Sequence, residues 1–263
     1  MTEVHRLTRP DGSRLALFRQ APWSPSRQSV LVVHGATFPT SLSAAYRIDG
    51  RSWFDELCAA GFETWGLDFQ GYGASDRFPE GDYATPPGGA LDAAAQIALA
   101  LDFIRRRSPE ASLSLIAHSW GTAPAGLLLS RNPRAVDRAV FYGPIVASET
   151  MEPLPENAPP FIEVSGDAQW AAFSAAVPEG PEPPMGRAEF ERWLEKYGGR
   201  VPTGAAFDIE RARRGVLPYD PGTIDTPMLV VRGSWDVVTT EADSIRFFHS
   251  LPASPRKRLT WLH

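Results

Sequence analysis

The sequence has one cysteine, no long apolar run and no secretory signal. Cys58 cannot form an internal disulfide, and it lies in a predicted helix over residues 51–60, where we expect it to pack in the core. No window approaches the roughly 18 consecutive apolar residues of a membrane-spanning helix. The first residues lack the basic-then-apolar pattern of a signal peptide. These absences predict a cytoplasmic protein without a membrane partner.

A block of basic residues is also absent, and the formal net charge is -5. Nucleic acid is therefore not an expected partner. Hydrophobic residues make up 43% and charged residues 22% of the 263 residues, which is typical of a globular chain. The length accommodates one large α/β domain with an insertion.

Prolines are concentrated in one part of the chain. That cluster consists of Pro144, Pro153, Pro155, Pro159, Pro160, Pro178, Pro181, Pro183 and Pro184. Proline removes a backbone donor and interrupts helices and sheets, so residues 144–225 are interpreted as an insertion of short elements. Helices are predicted in it over residues 168–176, 187–197 and 205–214.

The most informative stretch is residues 112–125. Residues 112–117 form an apolar run of strand length, and residues 121–129 have the composition of a helix. A strand that turns into a helix within about two residues leaves no room for large side chains, which explains Ala117 and Gly121. Ser119 at the apex is expected to be strained and exposed, and it can attack an ester carbonyl if a base accepts its proton. The alternative is an ordinary serine in a strand-to-helix turn.

Ala117-His118-Ser119-Trp120-Gly121 resembles the Gly-x-Ser-x-Gly nucleophile elbow of the α/β-hydrolase superfamily, with alanine in the first position. The resemblance implies that Ser119 is the nucleophile. It also implies that the backbone N–H of Trp120 is one oxyanion-hole donor.

Two loops extend the resemblance. The buried strand predicted at residues 29–34 ends in His34-Gly35, where the superfamily places the second oxyanion donor, here Ala36 or alternatively Thr37. His34 has a structural role in that comparison. Residues 68–75 match the family loop Asp-x-x-Gly-x-Gly-x-Ser, which shapes the site. A dinucleotide-binding interpretation of this loop fails because Pro79 and Gly81 follow where a helix is required.

The superfamily places its catalytic acid after the penultimate strand. Residues 227–232 predict that strand, and Asp236 follows it, with Asp225 and Asp243 as the other nearby carboxylates. An acid in this position orients the base histidine and stabilises its cation.

The base is expected last in the order serine, acid, histidine. The last predicted strand, residues 257–262, is followed directly by His263. The superfamily carries its histidine on a loop a few residues after this strand and closes with a helix. We therefore expect either His263 as the base or a truncated sequence whose base lies beyond it. His118 is expected to face the sheet interior.

The remaining pattern predicts a hairpin of residues 4–7 and 15–19, a strand at 62–69, a helix at 88–107 and a strand at 136–142. Five residues of the 88–107 helix are predicted to be buried: Leu91, Ala95, Ala98, Leu99 and Ile104. Aromatic residues of the insertion either line the substrate pocket or form the seam with the core: Phe161, Trp170, Phe173, Trp193, Tyr197 and Phe207.

Together the motifs, in order, predict an α/β-hydrolase fold, with a mostly parallel central sheet flanked by helices. Its core is expected over residues 1–143 and 226–263, and a helical cap over residues 144–225. The resemblance implies a serine hydrolase, most simply a carboxylesterase acting through an acyl-enzyme on small to medium apolar esters. It implies no metal or organic cofactor.

Two alternatives stay open at this point. The same catalytic group serves lactone hydrolysis or carbon–carbon bond hydrolysis, for which a cap arginine such as Arg192 or Arg211 would hold an acidic substrate. The second alternative is a binding protein that keeps the fold and has lost catalysis. The feature that supports it is the absence of the expected histidine loop from the sequence.

Overall fold

The computed structural model describes residues 2–148, 159–183, 185–253 and 256–262. The strands are β1 (Thr2–Thr8), β2 (Arg14–Gln20), β3 (Gln28–Val33), β4 (Glu63–Asp68), β5 (Ser112–His118), β6 (Arg138–Tyr142), β7 (Phe161–Glu163), β8 (Arg200–Pro202), β9 (Met228–Gly233) and β10 (Lys257–Leu262). The helices are α1 (Trp53–Ala59), α2 (Ala90–Arg107), α3 (Thr122–Arg131), α4 (Gly166–Ala175), α5 (Arg187–Leu194), α6 (Gly204–Arg213) and α7 (Glu241–Ser250).

Eight strands form the central sheet in the order β1-β2-β4-β3-β5-β6-β9-β10. The hairpin β1–β2 and the pair β2–β4 are antiparallel, and every other neighbouring pair is parallel. The sheet is therefore mostly parallel, as predicted. Because parallel strands are joined by crossovers, helices cover both faces of the sheet, and nearly every residue of β3 and β4 is buried.

Alternation along each strand assigns side chains to the two faces of the sheet. Leu31 and Val33 of β3 belong to the main apolar cluster, together with Ile97 of α2. Val32, between them, packs instead with Phe54 of α1. Helix α1 thus covers one face, and α2 covers the other.

The burial predicted for α2 is partly wrong. Leu91 is 65% exposed, and Ala95 is also exposed. Ile104 is buried as predicted, and Ala98 and Leu99 are half-buried. The buried stripe is Ala90, Ala93, Ala94, Ile97, Ala100, Leu101 and Ile104. Helix α2 contacts α3, whereas the exposed Leu91 and Ala95, four residues apart, lie on the opposite side of α2 from the buried stripe.

The segment predicted to be an insertion, residues 144–225, contains α4, α5 and α6 and a small antiparallel sheet of β7 and β8. Its fold is thus not purely helical. Helix α6 packs on the main core through Ala205 and Ala212. Among the described residues, no helix is both long and apolar enough to cross a membrane.

Candidate active site

The turn between β5 and α3 has the backbone strain predicted for it. Ser119 has φ 53°, in the left-handed region that residues other than glycine rarely occupy. A Cβ atom on Gly121 would lie 2.4 Å from the carbonyl oxygen of His34, and one on Gly35 would lie 3.0 Å from Cβ of Ser119. The Thr122 hydroxyl donates to the Ser119 carbonyl oxygen over 2.6 Å. The close approach of this turn to the loop after β3 therefore needs glycine at positions 121 and 35, and Thr122 fixes the strained peptide.

His34 orients one of the expected oxyanion donors. Its Nδ1 lies 2.7 Å from the carbonyl oxygen of Gly35, and its Nε2 accepts the Phe69 N–H over 3.2 Å. Because a backbone N–H can only donate, Nδ1 carries the proton and donates to Gly35. That carbonyl shares a peptide plane with the N–H of Ala36, so the bond fixes the direction of the Ala36 donor. Complete burial lowers the pKa of His34 to about 4, which keeps the ring neutral.

The next peptide is held by Tyr72, the middle residue of Gly71-Tyr72-Gly73. Its hydroxyl donates to the carbonyl oxygen of Ala36 over 2.8 Å, and this orients the N–H of Thr37. Both alternatives for the oxyanion donor are therefore fixed by side chains from other elements. The N–H of Trp120 belongs to the first helical turn after β5, where backbone donors have no intrahelical acceptor.

Asp68 begins the same glycine-rich loop and braces it. One carboxylate oxygen accepts the Thr40 N–H and the other accepts the Ala74 N–H, each over 2.8 Å. Burial raises the pKa of Asp68 above its usual value. Both oxygens of Asp68 thus hold backbone N–H groups, which fits a role in shaping the loop.

A second carboxylate, that of the half-buried Asp208 of α6, contacts the elbow directly. One oxygen of Asp208 accepts the indole N–H of Trp120 over 3.0 Å and the N–H of Ala90 over 2.7 Å. The Trp120 side chain is fully buried. Burial raises the pKa of Asp208, and its two hydrogen bonds act in the opposite direction. Asp208 therefore links the insertion, the start of α2 and the residue after the proposed nucleophile.

The acid turn after β9 is organised around Arg232 and Asp236. One carboxylate oxygen of Asp236 accepts the N–H groups of Val238 and Thr239 over 2.9 and 2.8 Å. The buried Arg232 guanidinium donates to the carbonyl oxygens of Asp236 and Thr239 over 3.0 and 3.2 Å. No hydrogen bond to the second carboxylate oxygen is formed within the described ranges, so that oxygen is available to a histidine. It points toward Gly143, where a Cβ atom would lie 3.2 Å away.

The other two candidate acids are engaged elsewhere. Asp243 caps the N-terminus of α7 through Thr240 and pairs with Arg246. Asp225 pairs with Arg256 over 3.3 Å. Neither lines the cavity that contains Ser119. Of the three candidate acids, Asp236 is the one that shares a cavity with Ser119.

Ser119 and Asp236 line one cavity of about 620 Å³. Its walls include Phe173 and Val177 of the insertion and Leu262 at the end of β10. His263, the predicted base, lies outside the described residues. Leu262, which precedes it, pairs with Gly233 in the register of β10 with β9 and so lies beside the acid turn.

His118 does not lie in the sheet interior as predicted. It follows the alternation of β5 onto the α1 face, where its ring stacks on Tyr142 with centroids 5.1 Å apart. The two rings line the cavity of Ser119 and also a second cavity of about 370 Å³. Burial lowers the pKa of His118 to about 4, and the charge of Asp236 opposes this. The ring is therefore neutral at pH 7.

The aromatic residues of the insertion divide between the two expected roles. Phe173 lines the cavity of Ser119. Trp193 is buried against Leu42, to whose carbonyl oxygen its indole N–H donates over 3.0 Å, and Tyr197 stacks on Trp193. The stripe on α5 is thus mainly the seam with the core.

Sequence reasoning missed Arg232, Asp208 and Tyr72 as supports of the site. Arg232 gave a signal, because an arginine at the end of an otherwise apolar strand is costly to bury without carbonyl partners. Asp208 and Tyr72 gave none, since their partners lie 88 and 36 residues away along the chain.

Comparison with known proteins agrees with this geometry. The model of the family described as "Hydrolase_4: Serine aminopeptidase, S33" matches residues 24–178. No curated protein matches the chain significantly.

Solved structures with a similar fold include an esterase from Exiguobacterium antarcticum (16% identity, TM-score 0.62, 99% of this chain and 91% of that one). They also include a monoacylglycerol lipase from Paleococcus ferrophilus (19% identity, TM-score 0.60, 94% and 88%). A third is a serine hydrolase involved in carbazole degradation (15% identity, TM-score 0.64, 100% and 90%). At these identities the likeness concerns the fold.

Proposed function

The chain belongs to the Hydrolase_4 (serine aminopeptidase, S33) family of α/β-hydrolases, and from that premise we propose that it is a carboxylesterase that works through a Ser119 acyl-enzyme. The observation that carries the proposal is the strained Ser119, which shares its cavity with Asp236. Strain at a serine that borders a cavity is a feature of functional sites, because a purely structural turn gains nothing from it.

The proposed chemistry follows from the positions of these groups. Ser119 Oγ attacks the ester carbonyl while His263 accepts its proton, and Asp236 holds the histidine tautomer and stabilises the imidazolium. The N–H groups of Ala36 and Trp120 stabilise the oxyanion of the tetrahedral intermediate. The imidazolium then protonates the departing alcohol. Water, activated by the same histidine, releases the acid from Ser119.

His263 is the proposed base because Leu262 lines the cavity beside the acid turn. His118 is the rival within this cavity. Its pKa of about 4 makes it a weak proton acceptor, and its ring is already stacked on Tyr142. A histidine beyond residue 263 is the third possibility, as the family resemblance suggests.

The lining of the cavity supports an apolar ester over an acidic substrate. No arginine or lysine is among the described residues that line it. Arg192 pairs with Glu189 on the surface of α5, and Arg211 does not border the cavity. The cation that would bind an acidic substrate of carbon–carbon bond hydrolysis is therefore missing from the described lining of this cavity. A lactone is an internal ester that needs no cation, and it stays an alternative. Phe173 and Val177 support the proposal that the insertion acts as a cap.

The direct test is labelling by a fluorophosphonate probe, with hydrolysis of p-nitrophenyl butyrate and of a γ-lactone. We expect the chain to be labelled and Ser119→Ala to be unlabelled, whereas Ser130→Ala, on α3 outside the cavity, keeps its label. Asp236→Asn and His263→Ala should each lower kcat by about 10⁴-fold. An unchanged kcat in His263→Ala with a collapse in His118→Ala would reassign the base. Absence of labelling, also in a longer chain that extends past His263, would favour the binding protein.

A further inference from the structure

We infer that the two halves of the ester occupy different cavities on either side of the His118–Tyr142 stack, with the acyl chain in the second cavity of about 370 Å³. This inference rests on the proposed function and names the substrate class more narrowly: an ester of an uncharged aliphatic acid. The alcohol then lies in the cavity that Ser119 shares with Asp236.

The second cavity is built from both the core and the insertion. Val32, Leu42, Ala44 and Trp53 come from the core, and Met185 and Trp193 come from the insertion. His34, which orients the Ala36 donor, is also part of its wall. Its volume lies within the range of ordinary small-molecule sites, and its lining is predominantly hydrocarbon and aromatic.

The chemistry determines which half of the ester goes where. The alcohol must leave next to the histidine that protonates it, and that histidine must contact Asp236. The leaving group therefore belongs in the cavity bordered by Asp236 and Leu262. The carbonyl oxygen points at the Ala36 and Trp120 donors, so the acyl chain extends away from the acid turn. His34, which orients the Ala36 donor, borders the second cavity, and we place the acyl chain there.

Charge in the second cavity selects a neutral chain. Its charged members are Arg51 and Glu56, which pair with each other over 2.6 Å while 65% and 56% exposed. Arg51 and Glu56 therefore lie at the rim of the cavity. Because they pair with each other, neither provides an unpaired cation that could bind the free carboxylate of a dicarboxylic acyl group. The two rings of the partition are uncharged near pH 7, because burial lowers the pKa of His118 to about 4 and raises that of Tyr142. The two rings therefore present no buried charge to an apolar acyl chain.

Two variants change the cavity in opposite directions. Ala44→Leu adds bulk inside it. Trp53→Ala opens it, because Trp53 packs on Tyr142 with centroids 5.5 Å apart and is 43% exposed, so the fold tolerates its loss. Ala95→Leu and Trp23→Ala are matched controls, since Ala95 is exposed on α2 and Trp23 is 99% exposed.

The measurement is kcat/KM for two ester series. One varies the acyl chain from acetyl to decanoyl with a fixed p-nitrophenol, and the other varies the alcohol with a fixed butyryl group. In the unmodified chain, each added methylene should raise kcat/KM about 4-fold until the cavity is full. Ala44→Leu should lower the octanoyl-to-acetyl ratio at least about 10-fold, and Trp53→Ala should move the preferred acyl length upward. Ala95→Leu and Trp23→Ala should leave the dependence of kcat/KM on acyl length unchanged.

The alcohol series separates the two cavities. The dependence of kcat/KM on the alcohol should be unaffected by Ala44→Leu and Trp53→Ala. Val177→Trp should instead restrict the range of alcohols that are accepted. If Trp53→Ala shifts the alcohol preference, or leaves both series unchanged while Ser119 is still labelled, the assignment is overturned although the esterase stands. Loss of labelling in the unmodified chain removes the proposed function, and this inference with it. Fluorophosphonate labelling of Ala44→Leu shows whether this variant has folded. If it has not folded, Trp53→Ala alone tests the assignment of the acyl cavity.

Discussion

The left-handed conformation of Ser119 has an energetic cost that can be measured. A residue with a Cβ atom at φ 53° is less stable by about 1–2 kcal/mol than glycine would be there. Thr122 and the close approach of Gly35 and Gly121 hold the serine in place despite this cost. Strain of this kind is retained only if the position of the side chain matters.

We expect Ser119→Gly to be more stable than Ser119→Ala by about 1 kcal/mol, because glycine adopts the left-handed region freely. Urea unfolding of the two variants measures the difference. At Ser130 in α3 the order should reverse, since glycine in a helix is less stable than alanine by about 1 kcal/mol. Equal stability of the two Ser119 variants would mean that the turn is unstrained.

The buried, neutral His34 makes stability depend on pH. Its pKa is about 4 in the folded chain and about 6.5 when unfolded, so between these values the unfolded chain binds a proton that the folded chain does not. Stability from this group is complete above pH 6.5 and is lost as the pH falls toward 4.

From pH 7 to pH 5 the free energy of unfolding should therefore fall by about 2 kcal/mol because of His34 alone. His34→Asn should be less stable at pH 7 but should show a correspondingly shallower decline, in urea unfolding at the two pH values. His249→Asn is the control, because His249 is exposed on α7. Comparing how the free energy of unfolding changes with pH in the variant and in the unmodified chain cancels the contribution of the carboxyl groups. These include Asp68 and Asp208, whose raised pKa values act in the opposite sense. An unchanged slope in His34→Asn contradicts the assignment.

Local sequence was sufficient to propose some residues of the candidate site and insufficient for others. Ser119, Trp120 and Ala36 belong to short turns whose chemistry is set by immediate neighbours, so motifs could predict them. Asp208 meets Trp120 only after α6 has packed on the core, and no spacing encodes that contact. The position of His118 followed from strand alternation, which could have been applied to β5 before the structure was known.

At the scale of elements, sequence predicted the strands of the central sheet within a few residues, but it missed β7 and β8 and mistook one face of α2. Helix α2 is rich in alanine on several sides, so its apolar pattern does not single out a stripe, and Leu91 was assigned to the wrong face. The contact with α3 decides which alanines are buried. The packing partner, and not the periodicity of α2 itself, contains that information.

Helix α6 offers an element-scale prediction through Asp208. Asp208→Ala leaves the Trp120 indole N–H and the Ala90 N–H buried without an acceptor, and each orphaned donor costs about 1–3 kcal/mol. We expect a loss of at least about 2 kcal/mol in urea unfolding, and a fall in kcat larger than the rise in KM, because Trp120 carries the proposed oxyanion donor. Asp208→Asn keeps an oxygen acceptor and should recover most of both losses. Asp102→Ala, on an exposed carboxylate, is the control. If Asp208→Ala unfolds like the unmodified chain, α6 does not brace the elbow.

At the scale of the whole molecule, the topology of the sheet determines where the candidate site lies. Ser119, the loop of Ala36 and Asp236 follow the carboxyl ends of β5, β3 and β9, which are parallel strands of one sheet. The carboxyl ends of such strands meet at one edge, where crevices form. Sequence could therefore predict the edge, while the two cavities depend on how the insertion docks.

That docking rests on a seam between α5 and the core loop before α1. Trp193 donates to the Leu42 carbonyl oxygen over 3.0 Å and packs against Phe38, and Tyr46 donates to Glu189 over 2.7 Å. Trp193→Ala removes a buried side chain of a kind that is worth about 3–5 kcal/mol, and most of that loss should fall on the insertion. Hydrogen exchange should accelerate in α5 and β8 while the amides of β5 keep their protection. Trp23→Ala should change neither region. Equal acceleration in β5 would show that the insertion and the core unfold as one unit, and that the cavities cannot open by movement of the insertion alone.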